Sequence, residues 1–192
     1  MSTGPRLIGE PLALDLVNTR PQCADGVHDL LENATDTGVW VSAQLDRIGV
    51  TSQGETDRLT EHDLVGLRKT RDIVRTALDP VRHGEQPPAA ALRELNDIQR
   101  GTPAIKEMRW SGNAVSTAWV RDGTPGERLA ARFAEAAADL FGNPAVTTVR
   151  ECEADQCVIL FLPVNPRRRW CSAAICGNRV RVARYYQRHK QR

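Results

Sequence analysis

The sequence predicts an α+β chain of 192 residues: a mainly helical N-terminal body with one small β-hairpin, then a short cysteine-stapled module that ends in a basic helix. Three observations predict it. Apolar residues recur at helical spacing through most of the first 145 residues. One stretch, residues 105–121, switches to strand-like character around a Ser-Gly-Asn turn. Four of the five cysteines fall in the last forty-one residues, in two pairs with the same spacing.

The elements follow in chain order. In residues 9–19, Leu12 and Leu16 are at helical spacing, and so are Asp15, Asn18 and Thr19. This reads as a short helix with one apolar and one polar face. Asp15 and Asn18 in so apolar a segment need partners if buried. They either line a ligand pocket, with Thr19, or brace the neighbouring backbone. A loop with Pro21 and Gly26 comes next. Trp40 to Leu45 reads as a short helix, with Gly38 and Gly49 as breaks. Trp40 is expected in the core.

Thr60-x-x-Asp63 is a capping-box pattern, with Asp in place of Glu, and opens a helix carrying Leu64, Leu67, Val74 and Leu78. Residues 88–99 form another, with Ala91, Leu92, Leu95 and Ile98 on its apolar face. After the hairpin, Pro125 and Gly126 begin a helix lined by Leu129, Phe133, Ala136, Ala137 and Leu140, and closed by Gly142-Asn143-Pro144. Val146 to Val149 reads as a strand leading into the cysteine module. The domain boundary is therefore placed between residues 1–145 and 146–192.

The module reads Cys152-x4-Cys157, thirteen residues, then Cys171-x4-Cys176. Each pair can put two thiolates on one tight turn, and the insert lets the turns meet in a tetrahedron. Four thiolates at about 2.3 Å suit one structural Zn²⁺ with no open coordination position. Two disulfides would use the same residues in an oxidising compartment, and unrelated buried thiols are the third reading; paired spacing favours the metal. Forty-odd residues cannot bury a sufficient core without such a staple. Val158 to Val164 should be a strand, ending at an edge by Pro163. Trp170 either packs over the metal site or stands exposed to stack on a base. Gly177 is expected to give backbone freedom, and Asn178 to cap the last helix. On that helix Val182, Ala183 and Tyr186 share one side, to dock on the finger. Arg181, Arg184, Tyr185 and Arg188 share the other.

Around these pairs the sequence resembles a known family. The stretch Arg168-Arg169-Trp170-Cys171-Ser172, followed by Cys176-Gly177-Asn178-Arg179, looks like the CGNR zinc finger, a treble-clef or ribbon-like module with four cysteine ligands. The stretch Leu12-Ala13-Leu14-Asp15-Leu16-Val17-Asn18-Thr19 is similar to the signature of the ABATE domain, which precedes that finger and belongs to proteins described as stress-induced transcription regulators. One departure is Leu160-Phe161-Leu162-Pro163, with proline where the family often has an acid.

Charge points the same way. From Arg150 to the C-terminus ten Lys/Arg oppose three Asp/Glu; the preceding residues hold sixteen against twenty-one. A basic tail on a mildly acidic body suggests an anionic polymer as partner. The expected nucleic-acid contacts are Arg167, Arg168, Arg169, Arg179, Arg181, Arg184, Tyr185, Arg188 and Lys190, with DNA as the ligand. An N-terminal domain that senses a small molecule or forms a homodimer completes this reading. The alternatives are a protein-interaction module and an enzyme with a pocket near Asp15. The enzyme has little support: no nucleophile motif appears, His28, His62, His83 and His189 lie on polar or loop segments, and a closed thiolate site cannot activate water. No run of eighteen apolar residues and no signal-peptide pattern occur, so a cytoplasmic protein with reduced thiols, Cys23 among them, is expected.

Overall fold

A single aspartate that joins the starts of two helices organises the body. The computed structural model describes residues 9–20, 22–23, 26–27, 29–48 and 59–189. Pro21, His28, Gly49, Lys190 and the N-terminal segment lie outside the described residues, as does the side chain of Cys23.

The elements are α1 (Leu12–Val17), β1 (Gln22–Cys23), β2 (Gly26–Val27), α2 (Ala34–Ser42), α3 (Leu45–Ile48), α4 (Glu61–Val81), α5 (Ala89–Gly101), β3 (Ile105–Trp110), β4 (Val115–Val120), α6 (Pro125–Gly142), β5 (Arg150–Glu151), β6 (Leu160–Phe161) and α7 (Asn178–His189). The strands form three two-stranded antiparallel sheets: β1 with β2, β3 with β4, β5 with β6. α4, α5 and α6 pack on one another, and α1 lies against α4 and α6.

Asp63 ties α4 to α6. Its Oδ2 accepts from the Thr60 N–H at 2.9 Å and the Thr60 hydroxyl at 2.7 Å, completing the expected capping box. Its Oδ1 accepts from the Thr124 hydroxyl at 2.6 Å and the Gly126 N–H at 3.1 Å, at the start of α6. Gly126 must be glycine here, since a Cβ would stand 2.4 Å from the Asp63 Cβ. A second capping box, Thr124 with Glu127, and Pro125 in the first turn fix the start of α6. Below this node the core gathers Leu14, Leu16, Leu64, Leu67, Leu78 and Phe133, with Trp40 stacked on Phe133 at 5.6 Å between centroids.

At several points the structure departs from the pattern in the sequence. α2 begins at Ala34, because the Asn33 side chain accepts from the Asp36 N–H and caps it, and Gly38 lies inside the helix instead of breaking it. Leu92 of α5 is exposed. Val146 to Val149 is no strand. Pro144–Thr148 is a 3₁₀ turn, started by the Asn143 side chain accepting from the Ala145 N–H, and pairing begins only at Arg150. The strand expected over 158–164 shrinks to Leu160–Phe161. The β3–β4 hairpin is as expected; Gly112 adopts φ +93 in its turn, a conformation that favours glycine.

Candidate metal centre and basic helix

Two tight turns build the cysteine site. In the first, the Cys152 N–H donates to Ile159 O at 3.0 Å and the Cys157 N–H to Ala154 O at 3.0 Å, with Gln156 at φ 59 closing the turn. In the second, the Ser172 side chain accepts from the Ile175 N–H and starts the π-helical turn Ala173–Gly177. So Ser172, not Asn178, is the cap, and Asn178 is the first residue of α7. Gly177 is needed for space rather than backbone freedom: a Cβ would meet the Trp170 ring at 3.2 Å. Trp170 is half-buried against the cysteine cluster, together with Ile159 and Phe161.

All four Sγ atoms lie within 4.8 Å of one another. Cys157 to Cys171 is 3.9 Å, Cys157 to Cys176 is 3.8 Å and Cys171 to Cys176 is 3.5 Å. A tetrahedron with Zn–S of about 2.3 Å has sulfur–sulfur edges of about 3.8 Å, so the arrangement fits one zinc. A disulfide would need about 2.05 Å, and all four thiols are free. Without a cation they compete. Cys157 is held down at about 5 because the Cys171 thiol donates to it. Cys171 is pushed far up by giving that bond and by burial, and burial lifts Cys176 to about 11. A dication satisfies all four as thiolates. Cys152, Cys157, Cys171 and Cys176 thus hold a single structural zinc, with no position left for substrate.

The site is braced from the body by residues that local sequence patterns did not reveal. Glu10, 4% exposed, accepts from the Leu162 N–H at 2.8 Å and from Arg168 at 2.6 Å. Arg168 also donates to Cys171 O at 2.6 Å and to Trp170 O at 3.1 Å, and lies 4.4 Å over the Phe161 ring. Arg82 at the end of α4 pairs with Glu151 at 2.8 Å.

The ABATE-like residues sit in the same joint. The Asn18 carboxamide bonds both polar groups of one finger residue, accepting from the Leu160 N–H at 2.9 Å and donating to Leu160 O at 2.8 Å. It stands where a third strand would. Thr19 donates to Leu16 O and accepts from Arg71, which also holds Asp29. Asp15 accepts from the Glu10 N–H at 3.2 Å and from Arg47 at 2.5 Å. Burial raises its pKa to about 6, although the Arg47 bond pulls the other way. A raised folded-state pKa favours the fold when Asp15 is protonated, below its ordinary value near 3.8. That advantage, roughly 3 kcal/mol, is lost as pH rises to about 6. Denaturant titrations of wild type and Asp15→Asn at several pH values should therefore show a stability difference that shifts by about this amount between pH 3 and pH 7, in favour of the variant. A pH-independent difference would exclude the effect.

The basic residues divide into two sets. Arg168 is turned inward, unlike the other described residues expected to meet nucleic acid. Arg169 pairs with Glu153 and lies over Trp170, and Arg179 donates to Asp155 O at 2.9 Å. Arg167 is exposed on the turn after Asn165. Arg181, Arg184 and Arg188 are exposed on α7 and make no ion pair among the described residues, and Tyr185 stacks on His189 at 4.0 Å. α7 buries no residue. The expected docking of Val182, Ala183 and Tyr186 does not occur: Val180 alone reaches the finger core, and the helix beyond it projects from the knuckle.

The family model named ABATE, described as "putative stress-induced transcription regulator", matches residues 10–144. The CGNR zinc finger model matches residues 148–189. The two stretches that carry the resemblance fall within these spans. No curated protein matches the chain. Among the described residues no helix is long and apolar enough to cross a membrane.

Proposed function

As this chain belongs to the ABATE family and ends in a CGNR zinc finger, we propose that it is a DNA-binding transcription regulator of the cytoplasm, not an enzyme. The zinc sets the finger, and α7 with the adjoining turn meets the duplex. The observation that carries this is the state of α7: a helix with no buried residue and three arginines without ion pairs among the described residues, on the strongly basic end of the chain. Arg181, Arg184 and Arg188 contact phosphate or guanine edges, Tyr185 lies beside them, Arg167, Arg169 and Arg179 flank them, and Lys190, which follows in the sequence, adds charge.

The N-terminal domain senses a small molecule. The polar atoms of Asp15, Asn18 and Thr19 are engaged with protein partners, so the effector is better placed between α4, α5 and α6. A cavity of about 580 Å³ opens there, lined by His62, Lys69, Glu94, Asp97 and Thr124, with Lys69 and Glu94 paired at 3.0 Å.

Retention of labelled duplex DNA by the zinc-loaded chain, measured over a salt series, tests the reading. Affinity should fall steeply with salt, and changing Arg181, Arg184 and Arg188 together to glutamine should lower the log–log slope by about 3. A zinc-loaded chain with no DNA affinity would overturn the reading and transfer the finger to protein partners.

A further inference from the structure

The β3–β4 hairpin adds nothing to either core, yet it carries the largest exposed apolar side chains of the body. Its register pairs Lys106 with Trp119, Met108 with Thr117 and Trp110 with Val115. Directly opposed residues share a face, so these six side chains form one face. Trp110 is 69% exposed, Trp119 65%, Met108 77% and Val115 59%. A surface of this kind on a soluble chain marks a contact.

We infer that this face is the contact between two copies of the chain, packed hairpin to hairpin about a two-fold axis. The area is sufficient. Covering Trp110, Trp119, Met108 and Val115 removes about 550 Å² per copy, or about 1,100 Å² in all, at the lower edge of specific interfaces. The pattern is also self-complementary. The two tryptophans occupy opposite corners of the face, with Lys106 and Val115 at the other two. A two-fold axis along the strands sets Trp110 over the second copy's Val115 and Trp119 over its Lys106. An axis across the strands sets Trp110 over Lys106 and Trp119 over Val115. In both, large side chains meet smaller or flexible ones, and the two lysines never face each other. Lys106 already lies 5.7 Å over the Trp119 ring, so it can make the same cation–π contact across the interface. The face holds no carboxylate and only this one cation. A single-stranded nucleic acid would want a row of cations beside the aromatic platform, so a second copy is the better occupant. Pairing through this face does not depend on DNA binding.

Sedimentation of the zinc-loaded full chain across a concentration series tests it. The mass should rise from the 21.2 kDa of one chain to twice that value. With Trp110→Glu and Trp119→Glu together it should stay at 21.2 kDa throughout, with secondary structure unchanged. Val39→Glu, an exposed apolar site on α2 (53% exposed), should dimerise like wild type. A wild-type mass of one chain at every concentration would overturn the inference, as would a dimer that survives both tryptophan changes. A monomer that retains single-stranded oligonucleotide through Trp110 and Trp119 would also overturn it, in favour of a base-stacking platform.

Discussion

Chelating the zinc under reducing conditions, or changing Cys171 to serine, should unfold the finger and lower the stability of the helical body as well. The first effect is large, because zinc binding supplies about 10 kcal/mol or more to modules of this kind. The second follows from the joint. Leu160 is part of the body's core, 1% exposed, and the amide of Asn18 spends itself on that residue. If the finger opens, Asn18 and Glu10 lose their partners in a buried place. Each such loss costs about 1–3 kcal/mol, and together, for a chain of this size, the two lower the melting temperature by roughly 10 °C. Thermal melts followed by far-ultraviolet dichroism, with amide exchange on α1, measure both effects. A body whose melt is indifferent to chelation, while the finger amides exchange freely, would show that the joint carries no energy.

Changing Asp63 to alanine should give one of the largest losses of any polar substitution within the helical body, about 3–4 kcal/mol, since one carboxylate caps α4 and secures the start of α6. Burial raises its pKa, but the hydroxyls of Thr124 and Thr60 and the amides of Thr60 and Gly126 outweigh that and hold it below the ordinary value of 3.8. Its contribution is therefore complete at neutral pH and is lost only as pH falls below the ordinary aspartate range. Urea denaturation at pH 7 checks the magnitude. Gly126→Ala should be damaging for the complementary reason, because the new methyl meets Asp63 itself. If Asp63→Ala costs less than 1 kcal/mol, the node is not a joint between the helices.

What the sequence reveals and what it hides divide by distance along the chain. The Cys-x4-Cys pairs, the Thr60–Asp63 box and the helical periodicity of α4 and α6 are local patterns, and the structure follows them. Thr60-x-x-Asp63 shows the cap but not that its aspartate reaches Thr124 and Gly126. The residues that join body to finger, Glu10 with Arg168 and Asn18 with Leu160, are 158 and 142 positions apart. No spacing rule reaches that far; a glutamate and an asparagine in an apolar segment are the only signal. Val146 to Val149 misleads for a different reason. Its β-branched residues favour a strand, but Asn143 and Pro144 just before it start a turn. Gly177 suggests backbone freedom because glycine so often supplies it, whereas here it makes room for Trp170. The arginines of residues 167–169 look alike in sequence, and only the fold separates Arg168, which holds the finger together, from its neighbours on the surface.

The pair of hydrogen bonds between Asn18 and Leu160 bears on how this protein could be cut or recombined. The family spans meet near residue 146, which invites treating the finger as a cassette to transplant. The packing argues against it. β6 presents Leu160 to the body and Phe161 to the cysteine cluster, so a cut before Arg150 leaves one half with a bare leucine and the other with a stranded asparagine and glutamate. The natural unit of exchange is the whole chain, and a chimera built at the apparent boundary must carry Glu10, Asn18 and the β6 strand from the same parent.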